Sequence, residues 1–89
     1  MSARKLEAAR ERLTRARDAV DGDAEERLET ALGTVERAVE EGRTLDHGAL
    51  ARLTRTLEEV AEDAEAEAEE TLLDAKAAIS NYREDVPGA

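Results

Sequence analysis

Apolar residues recur along this chain at steps of three and four, the spacing that gathers them on one stripe of an α-helix. Leu6, Ala9, Leu13, Ala16 and Val20 make the first stripe, and Ser2 ahead of it is a residue type favoured as an N-cap. Asp21-Gly22-Asp23 interrupts the pattern. Gly22 suits the left-handed conformation that closes a helix, and Asp23 with Glu26 has the spacing of a capping box. The second stripe is Leu28, Ala31, Leu32, Val35, Ala38 and Val39, and Gly42 ends it. Gly33 lies inside that helix at a cost of about 1 kcal/mol relative to Ala. It is either a point of close helix approach or simply tolerated. The pattern predicts helices over about residues 2–20 and 24–41.

The connection Arg43-Thr44-Leu45-Asp46 is short. Asp46 suits an N-cap, and Leu45 before it is placed to staple against Leu50. Beyond Leu50 no Gly or Pro appears before Pro87. The third stripe runs Leu50, Leu53, Leu57, Val60, Ala64, Ala68, Leu72, Ala75, Ile79, Tyr82 and Val86. Between Val60 and Leu72 it thins to alanine while the outside becomes nearly all glutamate. Helix propensity favours one unbroken helix over 47–85, followed by a frayed tail at 86–89.

Such a helix would be about twice as long as the other two at 1.5 Å per residue. Its second half would leave Leu72, Ala75, Ile79, Tyr82 and Val86 without cover from the same chain. Those five residues are therefore the expected dimer or partner surface. The alternative is a break near 63–67, which makes a bundle of four helices. The expected fold is a single all-α domain over 1–89, a helical bundle in which a hairpin over 2–41 packs on a long third helix.

Composition sharpens this picture. The chain carries 23 acidic and 13 basic residues, a net charge of −10, and 11 of the bases are Arg. Of its 89 residues, 18 are Ala and 16 are large aliphatics; Tyr82 is the one aromatic. So few large apolar residues with so much charge matches the profile of disorder. The regular stripes argue instead for a folded protein. The excess of acids with Arg-rich bases argues for one suited to concentrated salt, an ordinary acidic helical protein being the alternative. In such salt a carboxylate-rich surface holds water and cations, and its self-repulsion is screened. With no cysteine, disulfides and thiolate chemistry are excluded. The charged start Met-Ser-Ala-Arg-Lys-Leu-Glu is unlike a signal peptide, and no apolar run has the length of a membrane span. A cytoplasmic location is expected.

Candidate chemistry is sparse. The first twenty residues hold six bases against three acids, and Arg10, Arg12, Arg15 and Arg17 are the candidate nucleic-acid contacts. No aromatic interleaves with them, and the favoured explanation is internal. The first helix is expected beside the stretch Glu58–Glu70, which has eight acids in thirteen residues and no base. Glu58, Glu62, Glu65 and Glu69 would share one face of an unbroken helix, a like-charge row best kept in solvent. Asp21-Gly22-Asp23 has a superficial likeness to a calcium loop, but position twelve counted from Asp21 is Leu32 rather than Glu. His47, the single histidine, follows the Asp46 cap and is expected to be exposed, with no second His or Cys to share a metal. Tyr82 is expected half-buried, its hydroxyl reaching water. No catalytic, cofactor or metal site is predicted.

With these residues in view, the chain resembles a set of small acidic helical proteins from haloarchaea that have no assigned function. The resemblance rests on Asp46-His47-Gly48 followed by Leu50-Ala51-Arg52-Leu53, on Ala75, Ile79 and Tyr82-Arg83-Glu84, and on Gly22-Asp23-Ala24 followed by Glu26-Arg27-Leu28. It spans most of the chain. It implies a haloarchaeal cytoplasm and no particular activity. Members of the set often have Gly at the position of Ala66, which implies a helix break there. The functional expectation is a non-enzymatic interaction module or homodimer adapted to high salt, whose partner is itself or another helical protein. A nucleic-acid accessory using the first helix is the alternative.

Overall fold

The computed structural model describes residues 2–87, and side chains from residue 3 onward. Four helices make up the chain: α1 (Ser2–Asp18), α2 (Gly22–Glu41), α3 (His47–Glu62) and α4 (Ala66–Glu84). No strand occurs among the described residues. Connections this short force each helix to run antiparallel to the one before it. The order around the bundle is α1, α2, α3, α4 and back to α1; the diagonal pairs are not backbone neighbours. α1 and α4 are the most extensively packed neighbours, and α2 and α3 are the least. The bundle measures 34 × 22 × 19 Å, close to the length of one helix by two helix diameters.

Two turns follow from the local chemistry read in the sequence. Gly22 and Gly42 both have left-handed backbones, with φ of +64° and +66°. The Gly42 and Arg43 N–H groups bond back to Val39 and Ala38 carbonyls, which satisfies carbonyls that the end of α2 leaves open. At the start of α3, the Asp46 carboxylate accepts the Ala49 N–H at 2.7 Å. The first turn differs from the expected capping box. Asp21, not Asp23, holds the cap position, and its side chain makes no capping bond. The N-cap expected at Ser2 falls on a side chain outside those described.

The unbroken third helix does not form; the alternative, a break near 63–67 that makes a bundle of four helices, does. Asp63, Ala64 and Glu65 separate α3 from α4, and α4 folds back along both α3 and α1. The physical reason is the apolar stripe itself. A straight helix would expose half of it, and the bend buries Leu72, Ala75, Ile79, Tyr82 and Val86 in the protomer's own core. That burial is worth about 1.5–3 kcal/mol for each large side chain. Helix propensity differs by only a few tenths of a kcal/mol for most residues, so tertiary burial prevails.

The core contains every large member of the three stripes except Val20 and Val39, which pack against it half-buried. Leu45 and Ala61 join it from outside the stripes. Val86 is buried at 7% exposure and its N–H bonds to the Arg83 carbonyl. The expected frayed tail therefore begins no earlier than Pro87, and residues 88–89 lie outside those described. An added Cβ on Gly33 would meet nothing within 4 Å. No helix approaches closely there, and the glycine is simply tolerated.

Candidate functional site

The five residues expected to form a dimer surface form none in this protomer. Leu72, Ala75 and Ile79 are fully buried, Tyr82 is 1% exposed and Val86 7%. Packing by α1 and α3 removes them from any outward face. Tyr82 is the largest fully buried side chain. Its hydroxyl reaches the backbone rather than water, accepting the Leu45 N–H at 3.1 Å. Leu73 is the sole exposed large hydrophobic among the described residues, at 50%. One such residue is ordinary on a folded surface.

The arginines of α1 do not share a face. Helical spacing turns Lys5 and Arg12 toward α4, where they border a shallow groove with Asp74 and Asn81. The same spacing places Arg10 and Arg17 on the α2 flank, and Arg15 is exposed on the outer surface. Nor do these residues pair with Glu58–Glu70 as expected. Arg17 bonds its neighbour Asp18, and Lys5 reaches Asp85 at the far end of α4 at 3.3 Å. The acidic stretch is met from elsewhere. Lys76 of α4 contacts Glu58 at 2.7 Å, and Arg27 of α2 bonds Glu59. α1 is not adjacent to α3, which carries the first half of the stretch, but it packs along α4, which carries Glu67, Glu69 and Glu70.

His47 is half-buried rather than exposed. Its Nδ1 accepts a hydrogen bond from Arg83 Nε at 3.3 Å. Its Nε2 is shielded from solvent and is the one buried side-chain nitrogen or oxygen without a partner among the described residues. No group of three or more His, Cys, Asp or Glu side chains among those residues is placed to hold a metal ion.

A cavity lies at the end of the bundle where the α1–α2 and α3–α4 turns meet. It is an open cleft of about 610 Å³. It is lined by the apolar residues Val20, Ala24, Val60, Ala64 and Ala68 and by the acidic residues Asp18, Asp21, Asp63 and Glu65. Arg17 is bonded to Asp18. No ion pair to Asp21, Asp63 or Glu65 occurs among the described residues. Sequence spacing could not show this cleft, because it joins two turns about 40 residues apart.

Fold and surface together define a small acidic four-helix bundle with a carboxylate-lined cleft at one end. The chain belongs to the DUF7553 family, a family of unknown function, whose model matches residues 1–85. Comparison with curated proteins and with solved structures found no match. No helix among the described residues is long and apolar enough to cross a membrane.

Proposed function

We propose that this protein is a non-enzymatic protein–protein interaction module adapted to high salt, which receives a basic segment of a partner protein at the cleft end of its bundle. The observation that carries this reading is the cleft itself. Its lining pairs small apolar residues, which suit the aliphatic stems of Lys or Arg side chains, with Asp21, Asp63 and Glu65, whose exposed carboxylates suit their charged heads. The surface chemistry supports the salt adaptation. Residues Glu58, Glu59, Glu62, Asp63, Glu65, Glu67, Glu69 and Glu70 are all exposed, a density of carboxylates that self-repels unless it is screened. This agrees with the haloarchaeal cytoplasm that the sequence resemblance implies.

The alternative, a nucleic-acid accessory acting through α1, draws less support. Arg10 and Arg17 lie on one flank of the helix and Arg12 on the other, so no continuous basic stripe faces outward. Affinity capture from the native cytoplasm at native salt tests both readings when wild type is compared with an Asp21→Lys, Glu65→Lys variant. A protein retained by wild type and lost by the variant supports the cleft. Equal retention by both sinks it, and nucleic acid in the eluate would promote α1.

A further inference from the structure

The break between α3 and α4 is narrow. The Asp63 and Ala64 N–H groups still bond back to the Val60 and Ala61 carbonyls, both at 3.3 Å, so a helix-like path continues through Ala64. Glu65 is the extended residue, with φ −70° and ψ 161°. Its φ already suits a helix; bringing α3 and α4 into line takes rotation of its ψ together with the return of Asp63, at φ −106° and ψ 4°, to helical values. The break also has a local cost. The first N–H groups of α4 lack helical acceptors, and the Glu65 side chain caps none of them. Neither Gly nor Pro holds the bend in place. The bend persists because α4 must cover the groove between α1 and α3.

A second copy of the chain can cover that groove equally well. We propose that Glu65 is the hinge of an α4 exchange: residues 47–84 straighten into one helix, and each α4 packs between α1 and α3 of a second copy. Leu72, Ile79 and Tyr82 then remake in the other protomer the contacts they make at home. The hinge gains the helical hydrogen bonds that the bend forgoes, set against the entropy of association. Charge regulates the balance. Straightening joins the Glu58–Glu62 pair of α3 and the Glu65–Glu69 pair at the start of α4 into one like-charge row by adding the Glu62–Glu65 spacing. The added repulsion opposes exchange in dilute salt and fades as the Debye length falls from about 10 Å at 0.1 M to about 3 Å at 1 M. Straightening also dismantles the carboxylate-lined cleft, which needs the α3–α4 turn. Exchange does not depend on that cleft having a partner, and it is read by mass rather than by capture.

The absence of cysteine makes the test clean. The side-chain ends of Glu58 and Lys76 meet across α3 and α4, so a Glu58→Cys, Lys76→Cys pair bridged by a bis-maleimide of matching span reports which chain supplies α4. In the monomer the cross-link is internal; in the exchanged dimer it joins two chains. The expected result, on a non-reducing gel after incubation at high protein concentration, is a covalent dimer whose share rises with potassium chloride. Ala66→Pro is the matched control. It places proline at the first position of α4 behind an extended residue, which the bundle accommodates. In a straight helix the same proline is interior, and the dimer association constant should fall at least about 100-fold. Light scattering of the cysteine-free chain, with and without Ala66→Pro, gives the same comparison should the cysteine pair disturb folding. Only monomer at every salt and protein concentration overturns the proposal, as does a dimer that Ala66→Pro leaves unchanged.

Discussion

The phenolic oxygen of Tyr82 sits 3.1 Å from the Leu45 amide nitrogen and accepts its proton. This bond ties the end of α4 to the α2–α3 connection, between residues 37 apart in sequence. Both residues are buried, so neither group has water as a ready substitute. Removing the hydroxyl strands the Leu45 N–H. Tyr82→Phe keeps the ring in the core and should cost about 1–3 kcal/mol in urea unfolding. A loss within error of zero would mean that solvent reaches the Leu45 amide.

Gly33 offers the opposite experiment. It is helical, and an added methyl would meet nothing within 4 Å. Gly33→Ala should therefore stabilise the bundle by up to about 1 kcal/mol. For a chain of this size that is a rise of about 4–8 °C in Tm. A fall in Tm would show that a neighbouring helix comes closer than this structure places it.

The Asp46 cap should be measurable in isolation from the core. Its side chain is exposed apart from the bond it accepts from Ala49 N–H. Asp46→Ala should cost about 1 kcal/mol, and Asp46→Asn should recover most of that loss. Thermal unfolding of the two variants against wild type distinguishes the lost cap from a change in surface charge.

Helicity by circular dichroism should rise as potassium chloride is added. Eight exposed carboxylates lie between Glu58 and Glu70, and the observed ion pairs to them are those of Lys76 and Arg27. The remaining repulsion is screened within a few ångströms at molar salt. A flat salt response would remove the argument for adaptation to high salt.

Local chemistry made much of this fold legible in the sequence. The stripes at steps of three and four gave the buried faces, from Leu6 through Ile79. Gly22, Gly42 and Asp46 marked turn and cap positions, because left-handed φ and side-chain capping are properties of single residues. What could not be read that way was anything settled between distant segments. Through residues 63–65 the sequence favours helix, yet the chain bends there, since exposing Leu72, Ile79 and Tyr82 costs more than interrupting a helix. The same closure shields His47 Nε2, turns the Tyr82 hydroxyl onto a backbone amide and gives Glu58 to Lys76 rather than to an arginine of α1. The sequence by itself determined which face of each helix is apolar and where two of the turns fall. Only the tertiary structure decided how those faces close on one another, because burial is a property of the whole assembly of helices and propensity is a property of one turn.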